Sequence, residues 1–349
     1  MKQPHIAVLF GGCSSEHDVS LQSAYAVLSH IDHTAYTVYP IGITEKGDWF
    51  YYTGPYSPIA DGSWSLDRTN CHPCALSPSR ETPCLLCLEP NAAPLSIDAV
   101  FPILHGKNGE DGTVQGMFDL CGIPIIGCGT LASALCMDKD RAHRLAASAG
   151  IAVPKSAVFS TDAPFSRIAQ GAAKLEFPLF VKPLRAGSSF GISKVREPSR
   201  LEQAVQEAFR YDSELLLEEA IPGFEVGCAV MGNEILFTGQ VDEIQLSGGF
   251  FDFAEKYSLN TSQIHCPARI SPADAERVKE AAKTIYRALG CRVFARVDLF
   301  FTPDGTLVFN EVNTIPGFTA HSRYPNMMKG AGWSFSRLID ALIRYGLQG

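Results

Sequence analysis

Residues 296–313 contain the feature that most constrains the fold of this chain, two apolar runs that flank a Pro-Asp-Gly turn at residues 303–305. Valine, leucine and phenylalanine recur in these runs, and such runs on either side of a tight turn predict a β-hairpin. Successive side chains of a strand point to opposite faces, so every second residue lies on the same face. The chain must therefore contain a sheet in which this hairpin is paired.

Four polar residues of the hairpin share faces in pairs. Arg296 and Asp298 lie on one face of the first strand, and Glu311 and Asn313 lie on one face of the second. Hard divalent cations prefer carboxylate and amide oxygens, and Mg²⁺ is usually held by one or two carboxylates together with substrate phosphates. A guanidinium beside such a metal suits an electrophile that develops negative charge. The pattern predicts a metal site, although a hairpin whose polar face simply meets water has the same residue types.

The composition is typical of a globular enzyme with more than one domain. The 349 residues are 46% hydrophobic and 19% charged, which suffices for substantial cores and is too apolar for a disordered chain. The net charge of −8 argues against a general nucleic-acid or membrane-surface binder, because both need a basic face. No stretch approaches the roughly 18 apolar residues of a membrane span. We expect neither a nucleic-acid nor a membrane partner, while an anionic ligand held by a few lysines remains compatible.

The chain has 11 cysteines, most of them single within apolar runs, where a thiol acts as a small hydrophobe. This pattern suits a reducing cytosol and predicts a cytoplasmic protein. Cys71, Cys74, Cys84 and Cys87 form two Cys-x-x-Cys pairs that formally resemble a zinc knuckle. The alternative is a hairpin around a turn at residues 78–83, in which only some of the thiols share a face. We favour the hairpin.

The predicted strands and helices group into three units. Residues 1–125 alternate strands and helices in the rhythm of a parallel, doubly wound sheet, with a strand at residues 123–127 closing the unit. Residues 51–96 interrupt this rhythm and are placed on one edge of the sheet. Residues 126–215 and 216–349 form two further units of mixed strands and helices. The predicted fold class is therefore α/β and α+β, with a Rossmann-like unit at the N-terminus.

Two lysines and an acidic strand end are candidates for binding a nucleotide. Lys182 ends a buried strand and precedes the glycine-rich segment 187–191, whose backbone N–H groups could cradle a phosphate. The segment is not a Walker A motif, and an ordinary glycine loop gives the same pattern. Lys139 could equally be a solvated helix residue. Glu218 and Glu219 end another apolar strand, which either contacts a base and ribose or merely leaves the core.

Three further segments carry long, ordered patterns of polar residues. They read F-G-G-C-S-S-E-H-D-V-S at residues 10–20, L-H-G-K-N-G-E-D-G at residues 104–112, and N-T-I-P-G-F-T-A-H-S-R-Y-P at residues 313–325. With the lysines, the acidic strand, and the Arg-x-Asp and Glu-x-Asn pairs in that order, they resemble the D-alanine–D-alanine ligase family. The resemblance covers essentially the whole chain and implies an ATP-grasp fold preceded by a Rossmann-like domain.

The resemblance also implies the cofactors and the residues that would hold them. ATP would be bound with two Mg²⁺ ions, for which Mn²⁺ could substitute. The implied ATP ligands are Lys139, Lys182, Glu218, Glu219, Ile221, Glu225 and Lys256. The implied metal ligands are Asp298, Glu311 and Asn313. Glu219 stands where the family often has lysine, but a backbone contact at that position tolerates the change.

The implied reaction has two steps. The carboxylate of a first D-alanine attacks the γ-phosphate of ATP to give an acyl phosphate, and the amine of a second D-amino acid then displaces the phosphate. Glu16 would bind the ammonium of the first substrate with help from His105, and Ser322 would bind the carboxylate of the second. The residues implied in catalysis are Glu16, His105, Ser188, Tyr257, Arg296 and Gly317. Arg296 and the Gly317 N–H would stabilise the oxyanion, and Glu16, Ser188 and Tyr257 would close a lid.

The second substrate is predicted from four positions. Lys256 and Tyr257 keep the lid sequence of ligases that use an amino-acid acceptor, whereas D-lactate-making ligases substitute it. Phe251 stands where tyrosine is common and Arg323 stands where leucine or methionine is common, which resembles the D-alanine–D-serine ligases of vancomycin-resistance type. An arginine there adds a donor fork for a serine hydroxyl. The expected product is D-Ala–D-Ser or D-Ala–D-Ala for peptidoglycan precursors.

Two alternatives stay open. One is a housekeeping D-alanine–D-alanine ligase, and the more distant one is another ATP-grasp carboxylate–amine ligase. The family also implies a homodimer formed through the N-terminal unit. The predicted partners are thus D-alanine, D-serine, ATP and a second copy of the chain.

Overall fold

The computed structural model describes residues 3–187, 190–246, 262–319 and 321–348, and within these ranges the strands form three sheets. The first sheet has the order β6-β5-β4-β3-β2-β1-β7. Its strands are β1 (His5–Gly11), β2 (Thr37–Ile43), β3 (Trp49–Tyr52), β4 (Cys71–Leu76), β5 (Cys84–Cys87), β6 (Leu95–Ser96) and β7 (Ala99–Ile103). Its helices are α1 (His17–His30), α2 (Ser57–Ala60) and α3 (Thr113–Cys121).

The centre of this first sheet is parallel, because β1 pairs in parallel with both β2 and β7. The predicted edge excursion is confirmed, since β3 to β6 extend the sheet as antiparallel strands on one side. The cysteine segment is the predicted hairpin, in which β4 pairs with β5 and Cys74 lies opposite Cys87. The strand predicted at residues 123–127 was wrong. Only Ile125 forms a bridge, because Pro124 has no N–H to extend the ladder.

The second sheet has the order β10-β9-β11-β8 and is antiparallel throughout. Its strands are β8 (Ser156–Ser160), β9 (Leu179–Pro183), β10 (Ser193–Val195) and β11 (Glu214–Glu219). The helices α6 (Phe165–Leu175) and α7 (Leu201–Ala208) cover one face, after α4 (Thr130–Met137) and α5 (Lys139–Ser148) have led into the unit. The predicted boundary between residues 215 and 216 falls inside β11, so this strand belongs with the second sheet.

The third sheet has the order β15-β14-β12-β16-β17, and β13 pairs with β12. Its strands are β12 (Phe224–Met231), β13 (Phe237–Thr238), β14 (Asp242–Leu246), β15 (Ser262–His265), β16 (Phe294–Phe301) and β17 (Leu307–Asn313). Its helices are α8 (Pro272–Ala288), α9 (Arg323–Gly330) and α10 (Phe335–Leu347). The opening hairpin is confirmed, because β16 and β17 pair directly across the predicted turn.

One apolar core joins the first and third sheets. It contains Phe101 of β7, Phe294 of β16 and Phe318, whose rings meet edge to face at centroid distances of 5.5 to 6.1 Å. Burying such aromatic surface is the main favourable term in packing two layers. The junction therefore brings the ends of β1 and β7 next to the hairpin. In the described part of the chain, none of the helices combines the length and apolar character needed to cross a membrane.

We predict that Gly42→Ala destabilises the first sheet. A Cβ at Gly42 of β2 would lie 2.2 Å from the ring of the fully buried Trp64, and backbone or ring must shift to make room. Such overpacking typically costs about 1–3 kcal/mol. The expected result is a lower midpoint of thermal unfolding. Gly116→Ala in α3 is the matched control, because its Cβ would meet only Thr130 at 3.5 Å and alanine favours a helix. Equal midpoints for the two variants would contradict the prediction.

Candidate active site

A cavity of about 460 Å³ opens between the ends of β1 and β7 and the polar face of the hairpin. The three segments singled out by their polar patterns all reach it. Of the predicted site residues, it is lined by Glu16, His105, Lys139, Arg296, Glu311, Asn313, Gly317, Ser322 and Arg323. Side chains that lie far apart in sequence thus converge on one enclosed volume. Ser188, Phe251, Lys256 and Tyr257 lie outside the described residues, and their roles stay predictions.

The hairpin holds its four polar residues as the sequence predicts. Arg296 lies directly opposite Asn313, and Asp298 lies opposite Glu311, with an irregularity in the ladder just after Asp298. The Arg296 Nε donates to both oxygens of Asp298 at 2.9 Å, and its Nη2 donates to Oδ2 at 2.7 Å. Burial opposes the charge on Arg296, but Asp298 outweighs it and raises the pKa of Arg296 above its ordinary value. The hairpin therefore carries a fixed cation beside two carboxylates.

The donor set of the hairpin fits a hard divalent cation. Asp298 and Glu311 carry carboxylate oxygens and Asn313 carries an amide oxygen, which are the ligand types that Mg²⁺ takes. Both oxygens of Asp298 accept from Arg296, so a cation would share this carboxylate with the guanidinium. Among the residues that the structure describes, no three His, Cys, Asp or Glu side chains surround a common point. Two carboxylates and one amide leave coordination positions for phosphate oxygens, as is usual for Mg²⁺ that binds with a nucleotide.

Arg323 is buried among carboxylates, which occupy most of the N–H donors that were predicted to reach a hydroxyl. Its Nε and Nη2 donate to the two oxygens of Asp242 at 2.8 and 2.7 Å, and its Nη1 donates to Glu225 at 2.8 Å. Its Nη2 also lies 3.3 Å from Oδ1 of Asp298. These contacts engage four of the five N–H groups of a guanidinium.

Sequence analysis did not identify Asp242. It begins β14, the strand next to the edge of the third sheet, and nothing in the local sequence indicates that it pairs with Arg323. Glu225, predicted to hold a ribose, has one carboxylate oxygen held by Arg323, and its contact with ribose stays a prediction.

The two predicted phosphate lysines are both buried and hydrogen-bonded to the protein. Lys182, at the end of β9, is buried and its Nζ lies 2.6 Å from Oε1 of Glu218 in β11. Lys139 begins α5, and its Nζ donates to the carbonyl of Ala186 at 2.7 Å. Asp138 caps this helix by accepting from the backbone N–H of Arg141, which fixes the position of Lys139.

Glu218, at the acidic end of β11, has a hydrogen-bond acceptor that is available to a ligand. Within the described ranges, Oε2 of Glu218 is buried and has no hydrogen-bond partner, so it suits an exocyclic amine such as that of adenine. Glu219 is committed to Lys155, since its carboxylate accepts from the Lys155 N–H at 2.8 Å and its own N–H donates to the Lys155 carbonyl at 3.0 Å. A nucleotide contact at Glu219 is therefore left to its carbonyl oxygen. Ile221 follows in the half-buried link to β12.

His105 fastens the first unit to the third. Its Nδ1 donates to the carbonyl of Ile315 at 2.9 Å, and its Nε2 accepts from the hydroxyl of Ser23 at 3.2 Å. That hydroxyl in turn accepts from the N–H of Phe318 at 3.2 Å, so the chain of donors fixes the tautomer. Burial lowers the pKa of His105 below its ordinary value, against the opposing pull of Glu16. Both ring nitrogens are hydrogen-bonded within the protein, so His105 fixes the position of the loop that contains it, and its predicted help in orienting the first substrate stays a prediction.

Glu16 lies in a pocket bounded by two glycines. A Cβ at Gly106 would lie 2.6 Å from Oε2 of Glu16, and a Cβ at Gly187 would lie 3.2 Å from it. Gly106 also has a φ of +72°, a conformation that side chains disfavour. A side chain at either position would displace the carboxylate of Glu16, which is the charge that a substrate ammonium is predicted to pair with.

Glu110 is a buried residue of the site that sequence reasoning missed. Its Oε2 accepts from the N–H of Gly106 at 2.7 Å. When the Asn313 amide is oriented so that its hydrogen-bond network is satisfied, Nδ2 of Asn313 lies 2.7 Å from Oε1 of Glu110. Burial and the nearby Glu16 raise the pKa of Glu110 to about 8, although the N–H groups of Gly106 and Ile315 oppose the shift. The second polar segment contains Glu110, but nothing in the sequence pairs it with a residue about 200 positions later.

The remaining end of the cavity suits a carboxylate. Ser322 immediately precedes α9, and its Oγ accepts from the Thr319 N–H at 3.0 Å. The first N–H groups of a helix attract anions, which supports the predicted role of Ser322. A Cβ at Gly317 would lie 2.7 Å from this hydroxyl, so glycine is required for the turn. The predicted oxyanion contact of the Gly317 N–H stays a prediction.

Comparisons with known proteins show what the whole chain is similar to. The family model described as "D-ala D-ala ligase N-terminus" matches residues 5–128, and the one described as "D-ala D-ala ligase C-terminus" matches residues 145–344. The vancomycin B-type resistance protein VanB of Enterococcus faecalis is 46% identical over 100% of both chains. A D-alanine–D-alanine ligase of Caldicellulosiruptor bescii is 42% identical over 100% of this chain and 96% of its own. The crystal structure of VanG D-Ala:D-Ser ligase from Enterococcus faecalis is 54% identical, with a TM-score of 0.93 over 99% of this chain and 100% of that chain.

We predict that His105 makes the fold sensitive to acid. Its pKa is lowered in the folded protein, so the unfolded chain binds more protons below an ordinary histidine pKa of about 6.5. The stability that depends on neutral His105 is present above that pH and is lost as the pH falls below it. His105→Gln cannot titrate, so its melting temperature should fall less than that of the wild type between about pH 7.5 and about pH 5.5. His30→Gln, at the exposed end of α1, is the matched control. An equal fall in His105→Gln and wild type would contradict the prediction.

Proposed function

This chain belongs to the D-alanine–D-alanine ligase family, and we propose that it joins D-alanine to D-serine for peptidoglycan precursors, with D-alanine as a second acceptor. As a member of that family it has the ATP-grasp fold behind a Rossmann-like domain and is an ATP-dependent ligase. The observation that carries the proposal is the buried arginine at the acceptor end of the cavity. It is supported by the 54% identity to a structure titled as a D-Ala:D-Ser ligase.

In the first step, the carboxylate of D-alanine attacks the γ-phosphate of ATP to give an acyl phosphate and ADP. Glu16 pairs with the ammonium of this D-alanine, and Lys139 and Lys182 bind the phosphates. Two Mg²⁺ ions, held by Asp298, Glu311 and Asn313, would offset the charge on the transferring phosphoryl group when bound.

In the second step, the amine of the acceptor attacks the acyl carbonyl, the carbon–oxygen bond to phosphate breaks, and the amine loses a proton. Arg296 lies buried beside the hairpin carboxylates and supplies N–H donors for the oxyanion. Ser322 and the N-terminus of α9 bind the acceptor carboxylate, which fixes the direction of the amine.

A serine hydroxyl is distinguished from a methyl group only if the site contains a group that pairs with it. Arg323 lines the cavity and is held by Asp242, Glu225 and Asp298, so its position is fixed before a substrate enters. The contacts described above leave one N–H of its Nη1 for a hydroxyl. This pre-organisation supports D-serine as the acceptor and assigns the specificity to a network of charges.

We further propose that the enzyme acts in the cytoplasm as a homodimer formed through its N-terminal unit. The support is an apolar groove on that unit, which is lined by Leu88, Met117 and Leu120 among others. Leu88 and Leu120 are exposed to 62% and 68%. Large exposed apolar residues beside a groove are typical of a surface that a second copy covers.

Glu311→Gln tests the ligase reaction. The variant removes one of two carboxylates from the predicted metal site, so D-alanine-dependent ATP consumption should fall on the order of 100-fold. The measurement is phosphate release with D-alanine, with and without D-serine, and with identification of the dipeptide. Glu280→Gln, which changes an exposed carboxylate on α8 paired with Lys283, is the matched control. Undiminished ATP consumption by Glu311→Gln would remove the proposed function.

Arg323→Met tests the acceptor. Loss of one hydrogen bond to a serine hydroxyl weakens binding by about tenfold. The ratio of kcat/KM for D-serine to kcat/KM for D-alanine should therefore fall by about that factor. Methionine leaves the buried Asp242 without its cation, and the double variant Asp242→Asn/Arg323→Met removes that charge. The ratio does not depend on the fraction of folded enzyme. An unchanged ratio in both variants would contradict D-serine as the preferred acceptor.

A further inference from the structure

The hydrogen bond between Glu110 and Asn313 joins the first unit to the predicted metal site. Glu110 is 8% exposed and belongs to the loop that follows β7, whereas Asn313 ends β17. Its Oε1 accepts from Nδ2 of Asn313 at 2.7 Å, and the carbonyl of Ile315 lies 3.2 Å from the same nitrogen. Two acceptors from different parts of the chain therefore meet one side of the Asn313 amide.

The two acceptors decide which way the amide points. The two ends of an asparagine amide have almost the same shape, but only the nitrogen donates. A carbonyl can only accept, so Ile315 requires the nitrogen on its side, and in this orientation the nitrogen also faces Oε1 of Glu110. The amide oxygen then points away from them, and Asn313 shares its strand face with Glu311. An amide turned the other way would present N–H groups to a cation, which repel it.

The loop that contains Glu110 also forms the first-substrate site. Oε2 of Glu110 accepts from the N–H of Gly106, and Gly106 borders the carboxylate of Glu16. His105, one residue earlier, is bonded to the carbonyl of Ile315. The same loop therefore supports the ammonium site on one side and the end of the hairpin on the other.

We propose that Glu110 is a positioning residue for the metal site, because it holds the Asn313 amide with its oxygen directed at the cation. The inference rests on the proposed function, since it concerns the metal that this reaction uses. Glu110 itself would not touch the metal or the substrates. It would set the affinity of the metal site through the orientation of one ligand.

Exchanging the acid at position 110 with the amide at position 313 tests whether Glu110 sets the orientation of the Asn313 amide. In Glu110→Gln, one end of the new amide faces the Gly106 N–H and the other faces the Asn313 amide nitrogen. Whichever way the glutamine is oriented, its NH₂ group faces one of these two donors. The Asn313 amide then loses its defined orientation. In Glu110→Gln/Asn313→Asp, glutamine accepts from Gly106 and donates to the aspartate, whose second oxygen remains available to the cation.

The measurement is the affinity for Mn²⁺ in the presence of ADP, determined from the free Mn²⁺ signal in electron paramagnetic resonance. Glu110→Gln should weaken Mn²⁺ binding by about tenfold or more in the wild-type background, the loss expected of one misdirected ligand. In the Asn313→Asp background the same substitution should cause no weakening. Both comparisons remove the same carboxyl group of Glu110, so a loss of Mn²⁺ affinity that is confined to the wild-type background indicates an effect on the orientation of Asn313.

An equal loss of Mn²⁺ affinity in the two backgrounds would overturn the proposal, because Glu110 would then act through charge or packing. Unchanged affinity in Glu110→Gln would overturn it as well. If Glu110→Gln does not fold, the double variant is compared with Asn313→Asp alone. The proposal is supported if the double variant binds Mn²⁺ at least as tightly as Asn313→Asp does. It is overturned if the double variant binds Mn²⁺ more weakly or does not fold. Metal-free melting temperatures record any loss of stability separately. A wild-type protein that consumes no ATP with D-alanine contradicts the proposed function, which these Mn²⁺ affinities do not measure.

Discussion

The site depends on a buried network of opposite charges beneath the hairpin. Arg296 and Arg323 lie among Asp298, Asp242 and Glu225, so two cations face three anions in a region with little water. Removing one partner from such a network leaves a buried charge unpaired, which typically costs about 3–5 kcal/mol. The network therefore fixes all five side chains at once. It also leaves a surplus negative charge where a divalent cation is expected.

The site lies where the three units of the chain meet, since Lys139 and Gly187 of the second unit also line the cavity. The first unit contributes Glu16, His105 and Glu110, and the third contributes the hairpin and the turn before α9. Polar contacts that cross the junction include those from His105 to Ile315, from Phe318 to Ser23 and from Tyr36 to Asp340, together with the contact between Asn313 and Glu110. The aromatic core beneath them excludes water, which strengthens each contact. Apolar packing thus provides the affinity between the units, and the polar contacts provide their alignment.

The sequence predicted local geometry better than long-range partners. The period of two in β16 and β17 predicted which polar residues share a face, and a Pro-Asp-Gly turn set their register. The cysteine hairpin followed from the same rule. The partners of Arg323 could not be predicted, since Asp242 lies 81 residues away and Glu225 lies 98 residues away. His105 was assigned to the substrate site by its place in the second polar segment, and nothing in the sequence indicated that both of its nitrogens are hydrogen-bonded to residues far along the chain.

The two glycines beside Glu16 limit how this enzyme could be redesigned. Larger pockets are usually made by trimming side chains, but Gly106 and Gly187 have none to remove. The first subsite is shaped there by main chain that approaches the carboxylate closely. Space for a bulkier first amino acid must therefore come from moving the backbone of two separate loops, whereas the acceptor end is bordered by side chains that a single substitution can alter.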